Sequence, residues 1–149
     1  MFKKLNFPDF DFQIKTVEDK LMIFDGLRKK FVRLTSEEWV RQHMLLFLLE
    51  CKKYPKSLIK VESGLKYNKL NKRSDILTYD NTGQPFLVIE CKSPEISLDK
   101  NVLYQVSAYA KSLEVKYIGV TNGLDHYFWE LDINSESTVA LSDFPEYKV

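Results

Sequence analysis

The run Phe86-Leu87-Val88-Ile89 is apolar at every position and is followed at once by Glu90-Cys91-Lys92. A strand with one wet face alternates apolar and polar side chains, whereas a strand covered on both faces does not. The run therefore predicts a central strand with packed layers on either side of its sheet. Successive side chains on a strand point to opposite faces, so Glu90 and Lys92 project together while Cys91 points away. The most buried strand of the chain thus ends in two charges on one face.

The segments around this strand predict an α/β (α+β) fold, with a central mixed β-sheet flanked by helices. At 149 residues, with no repeat or linker, the chain reads as one domain, 1–149. Phe10 to Lys15 alternates and can pair with Lys20 to Phe24 as an amino-terminal β-hairpin. Thr35 and Ser36 before Glu37-Glu38 start a helix with the inward stripe Val40, Met44, Phe47, Leu48 and Cys51. Three extended segments follow, Ser57 to Tyr67, Arg73 to Asp80 and Pro85 to Ser93, joined by turns at Asn68 to Lys72 and Asn81 to Gln84. A second helix is capped by Ser97 and carries the stripe Leu98, Val102, Val106, Tyr109 and Leu113, with Gln105 facing inward among them. Strands Lys116 to Thr121 and His126 to Leu131 complete the sheet, and the polar tail after Asp132 reads as irregular.

If the turn is symmetric about Thr82-Gly83, paired residues have numbers summing to 165, and Asp75 faces Glu90. Directly opposed carboxylates cost up to about 1 kcal/mol, more when desolvated, unless a cation lies between them. Oxygen ligands on a partly hydrated site suit Mg²⁺, which takes one or two protein carboxylates and completes its shell with water and phosphate. A bound Mg²⁺ polarises phosphate and acidifies water, and Lys92 would steady the hydroxide or the charge building on phosphorus. The plain alternative for Glu90 and Lys92 is an ion pair at a strand end.

Composition narrows the rest. Twenty-two basic and 21 acidic residues give a net charge of +1, so polyanion binding must be local. Basic residues do cluster at Arg28-Lys29-Lys30 with Arg33, at Lys52-Lys53 with Lys56, and at Lys69 with Lys72-Arg73. Cys51 and Cys91 stand alone and read as reduced, structural thiols rather than a disulfide or zinc site. No export signal or membrane-length apolar run is visible, so a cytoplasmic location without membrane contact is expected. His43 and His126 are isolated and read as structural, and Tyr127-Phe128-Trp129 reads as core and edge of a strand.

Taken in order, Phe24 to Val32, Thr35 to Gln42, Lys72 to Ile76, Val88 to Pro94, Gln105 to Tyr109 and Val120 to Gly123 carry a family likeness. On these residues the chain resembles the amino-terminal nuclease domain of type I restriction enzyme R subunits, within the PD-(D/E)XK superfamily. The resemblance implies a restriction-endonuclease-like core and hydrolysis of DNA phosphodiesters with Mg²⁺ or Mn²⁺. It implies Asp75 and Glu90 as metal ligands with the Cys91 carbonyl, Lys92 as catalytic, and Gln105 as a supporting glutamine. Glu37 is the helix carboxylate that completes the set, with Glu38 close behind. Ser74 stands where the motif has proline, and nothing matches G-x-x-x-x-G-K-[ST], so ATP-driven translocation would need a separate motor or restriction-system protein as partner. The competing reading is a catalytically silent nucleic-acid-binding or protein-interaction module that keeps the fold.

Overall fold

The computed structural model describes residues 2–67, 72–132 and 137–147. The expected turn at Asn68 to Lys72, and Lys69 of the third basic cluster, fall wholly or mostly outside these residues. So does the side chain of Tyr109. The chain forms a six-stranded mixed sheet, a separate three-stranded sheet and helices on both faces of the larger sheet.

The three-stranded sheet comprises β1 (Ile14–Val17), β2 (Lys20–Asp25) and β3 (Lys30–Arg33), all antiparallel. The hairpin expected from Phe10 begins later, because Glu18 and Asp19 both take positive φ and close a tight turn directly between Val17 and Lys20. Phe10 and Phe12 are instead drawn onto the rings of Trp39 and His43. The third strand lay hidden in what reads as a basic run, Arg28 to Arg33.

Helix α1 (Ser36–Leu46) starts as its sequence predicts, with the Thr35 hydroxyl accepting from the Glu38 N–H at 3.1 Å. Its last turn, Phe47–Cys51, is π-helical, and the Lys52 N–H reaches back to the Phe47 carbonyl at 3.1 Å. The wider turn shifts the phase of the stripe. Val40, Met44 and Leu48 are buried as expected, whereas Cys51 swings out and is exposed rather than structural.

The large sheet is ordered β4 (Ile59–Tyr67), β5 (Lys72–Tyr79), β6 (Pro85–Cys91), β7 (Tyr117–Thr121), β8 (His126–Asp132) and β9 (Ser137–Leu141). Every neighbouring pair is antiparallel except β6 and β7, which are parallel and joined through helix α2 (Lys100–Lys111). β9 corrects the irregular tail: it pairs along β8, and Phe144 just beyond it is buried against Phe128. Helix α2 is capped by Asp99, whose carboxylate accepts from the Val102 N–H at 3.0 Å, and not by Ser97. Asp99 ends the loop one residue before the first helical position, where the unpaired N–H groups lie.

Two apolar layers enclose β6. Phe86, Leu87, Ile89 and Cys91 pack with α1 residues Val40, Met44, Leu45 and Leu48, while Val88 packs with Leu77, Ile118, Val106 and Ala110 on the α2 side. The β5–β6 turn is not symmetric about Thr82-Gly83. Asp80 N–H donates to the Gln84 carbonyl at 2.8 Å, so the loop is Asn81-Thr82-Gly83 with Gly83 at φ +85. One extra residue of β6, Phe86, bulges between the Tyr79–Pro85 and Thr78–Leu87 pairs and restores the expected register at Leu77–Val88 and Ile76–Ile89.

The amino-terminal segment crosses α1 and the β7–β8 turn. Leu5 is buried there, the Asn6 N–H donates to Gly123 O at 2.7 Å, and Trp39 Nε1 donates to Lys3 O at 2.9 Å. His126 Nε2 donates to Asn6 O at 3.0 Å, and its Nδ1 lies 2.7 Å from the Thr121 hydroxyl. His43 Nδ1 donates to Trp39 O at 2.8 Å. Both histidines are therefore structural, as expected, and burial depresses the pKa of each.

Two outcomes follow. Below the unfolded imidazole pKa of about 6.5, the unfolded chain takes up protons that both native rings resist, so their contribution is full above that pH and lost as pH falls. Melting temperature should drop on acidification from about pH 7.5 to 5.5, and His43→Phe should flatten that dependence. In β7, a Cβ on Gly119 would lie 2.5 Å from Phe128 Cε1 and 3.4 Å from Ile89 Cγ1. Gly119→Ala should cost about 1–3 kcal/mol in urea denaturation by overpacking. At Gly83, where nothing lies within 4 Å, alanine should cost only the strain of its positive φ, about 1–2 kcal/mol.

Candidate active site

The pairing of β5 with β6 ends at Ile76–Ile89, one residue short of Asp75 and Glu90. At this point the ladder between β5 and β6 opens. The Cys91 N–H points toward β5 and donates to Asp75 Oδ2 at 2.8 Å, so a side-chain carboxylate receives a strand donor. The neighbouring Lys92 N–H points the other way, to Thr121 O on β7 at 2.8 Å. Glu90 is buried, and Lys92 Nζ lies 3.5 Å from its Oε1.

The other half of the site comes from α1. Arg41 is buried, and its guanidinium spans three carboxylates: Nη2 is 2.9 Å from Asp75 Oδ1 and 3.2 Å from Glu37 Oε1, and Nη1 is 2.7 Å from Glu38 Oε1. Burial by itself would lower the arginine pKa, but Asp75 and Glu38 outweigh it and hold the group charged above its ordinary value. Helical spacing explains the arrangement, since Glu37 and Glu38 lie four and three residues before Arg41.

The two glutamates have different surroundings. Glu38 is enclosed, with Arg28 Nη2 at 2.9 Å and Gln42 Nε2 at 3.1 Å in addition to Arg41. Behind it, the fully buried Asp25 accepts from the Leu27 and Arg28 N–H groups at 2.8 Å, from Arg28 Nε at 2.7 Å and from Gln42 Nε2 at 2.9 Å. Although burial opposes it, these donors lower the Asp25 pKa. The Glu37 side chain is 46% exposed, and its pKa is raised by partial burial and by the negative charge of Asp75. Glu37 is thus the open carboxylate that senses Asp75 and Lys92, and Glu38 is a structural anchor.

Burial raises the pKa of the Cys91 thiol, and the negative charges of Asp75, Glu90 and Glu37 add to the rise. All the candidate donors are oxygens, which suits a hard divalent cation in kind. Among the described residues, no group of three or more His, Cys, Asp or Glu side chains is arranged to hold a metal ion as it stands. The arrangement has room in its chemistry for a cation held by one or two carboxylates and water, the usual Mg²⁺ mode.

Gln105 departs from expectation. It lies on α2 but is exposed, because the packed face runs through Val102, Leu103, Val106 and Ala110. The residues that sequence reasoning left without a role are Asp25, Arg28, Arg41 and Gln42. Their signal was present in the spacing of Glu38 to Arg41 and Gln42, and of Asp25 to Arg28, but it does not reveal that the two sets meet.

Residues 36–145 match the family described as type I restriction enzyme R protein N terminus (HSDR_N). The chain belongs to that family. It is also similar to a fragment assigned to an HsdR subunit of a type I restriction enzyme from Vibrio vulnificus YJ016, at 26% identity and a TM-score of 0.38. That match covers 60% of this chain and 17% of the other, so the chain spans a small part of that relative's length. Comparison with curated proteins gives no match. No helix among the described residues is long and apolar enough to cross a membrane.

Glu38→Gln should destabilise the fold by about 3–5 kcal/mol, because it leaves Arg28 and Arg41 facing a neutral amide in a buried setting. Glu37→Gln, at a half-exposed position, should cost no more than about 1 kcal/mol. Paired urea denaturation curves check the contrast.

Proposed function

We propose that this chain is a metal-dependent nuclease domain that hydrolyses DNA phosphodiesters within a restriction system. It would act beside a separate motor or restriction-system protein. The observation that carries the reading is the bond from the Cys91 N–H to Asp75 Oδ2, which joins Asp75 to the strand end bearing Glu90 and its partner Lys92, while Arg41 links Glu37 to Asp75. Asp75 and Glu90, with the Cys91 carbonyl, would hold Mg²⁺ or Mn²⁺, and the ion when bound would polarise phosphate and supply an acidified water. Lys92, a third exposed, keeps its ammonium within reach of solvent and substrate, where it can steady a hydroxide or developing phosphorane charge. Glu37, half-exposed and beside Arg41, can orient water at the open side. Gln105, exposed on α2, has no part in this reading. The free cysteines accord with a reducing cytoplasm.

A second reading, a silent module that binds nucleic acid or protein, draws on two observations. Arg41 engages Asp75 directly, and Gln105 faces away. The two readings part on metal. Calorimetry with Mn²⁺ should show binding to the parent, loss of binding in Asp75→Ala and Glu90→Ala, and retained or slightly tighter binding in Lys92→Ala, which deletes a nearby positive charge. All three substitutions should abolish cleavage of linear and circular DNA. A parent that binds no divalent metal, or cleavage indifferent to all three, favours the silent module.

A further inference from the structure

The segment from Ile14 to Arg33 holds six basic and three acidic residues, against a net charge of +1 for the whole chain. Its basic groups are not equivalent. Arg28 is committed to Asp25 and Glu38, whereas Lys30 and Arg33 on β3 are exposed and, among the described residues, have no ion-pair partner. The register sets Lys15, Met22 and Arg33 in one row across the sheet, with Lys15 Nζ 3.9 Å above the Phe31 ring. The two outer strands of a three-stranded sheet lie about 10 Å apart, so Lys15 and Arg33 form two separated positive charges in this row.

This row opens onto the candidate active site. A cleft of about 580 Å3 is lined by Lys30, Phe31 and Arg33 on one side and by Glu37 and Arg41 on the other. The strand is also fixed to the site. Asp25 pairs with Lys30 across β2 and β3, and its carboxylate binds the following turn, Arg28 and Gln42. Arg28 then holds Glu38, Glu38 holds Arg41, and Arg41 holds Asp75. An anion bound on β3 is therefore registered against Asp75 and Glu37 through buried ionic contacts rather than through a loose loop.

We propose that the β2–β3 hairpin is the duplex-DNA backbone contact of this domain, with Lys30 and Arg33 each taking a phosphate on the strand that enters the cleft toward Glu37. The inference rests on DNA being the substrate. Lys30 and Arg33 project from opposite faces of the edge strand β3 and both line the cleft, and the contact is independent of base sequence because it is made to phosphates. Lys15 adds to the field at the outer end of the row. The acids of the segment do not oppose this, since Asp25 is buried and paired, while Glu18 and Asp19 sit at the far β1–β2 turn.

The test is equilibrium binding of a fluorescein-labelled DNA duplex to the full chain in EDTA, which prevents cleavage, between about 50 and 200 mM salt. Each phosphate contact adds about 0.9 to the slope of log affinity against log salt. Lys30→Ala/Arg33→Ala should lower the slope by about 2 and weaken binding at low salt, with an unchanged melting temperature. Arg33→Lys should keep the parent slope, and so should Lys56→Ala/Lys60→Ala, which removes one cation of the second basic cluster and one from β4. If the parent binds and cleaves DNA while the β3 double variant keeps its affinity and slope, this inference fails and the nuclease reading stands. Equal loss in the Lys56/Lys60 variant also overturns it. A parent with no salt-dependent DNA binding overturns both.

Discussion

A buried guanidinium organises this molecule. Arg41 lies where helix α1, the opened ladder of β5 and β6, and the loop after β2 come together, and each contributes a carboxylate or a partner of one. Burying a charge is costly unless it is paired and hydrogen-bonded, and here the pairing draws together residues far apart in the sequence. The same arrangement explains why two adjacent glutamates differ. Glu38 turns into the ionic cluster and Glu37 remains at its rim, so one acid secures the helix and the other stays open.

Much of the large sheet was legible because its signals are local. The all-apolar run of β6, the caps at Thr35 and the period-two pattern of Glu90 and Lys92 each follow from backbone geometry. The β5–β6 register as far as Ile76–Ile89 was legible for an incomplete reason. The loop is one residue away from the symmetric turn, and the bulge at Phe86 supplies the difference. A bulge has no strong local signal here, since Phe86 suits either a paired or an extra position.

The errors also have physical causes. A π-helical turn is set by how the helix end packs, so the exposure of Cys51 was hidden in an otherwise regular stripe. β9 gains its order by pairing with β8 and not from its own mostly exposed residues, which is why it read as tail. Gln105 looked inward because it lies three residues after Val102 and four before Tyr109, but the packed face of α2 runs through Val102, Leu103, Val106 and Ala110. The role of Arg41 required knowing that the first sheet folds back on α1, a tertiary fact with no periodicity to reveal it.

The Phe86 bulge carries a consequence for how such a domain can vary. Because loop and bulge together set the spacing, the hairpin end acts as an adjustable joint between a solvent-facing tip and a fixed interior. A change of one residue at Asn81 to Gly83 can be absorbed by losing or gaining the bulge, leaving Ile76 against Ile89. Drift in length at this tip is thereby insulated from the acids at the far end of the same two strands.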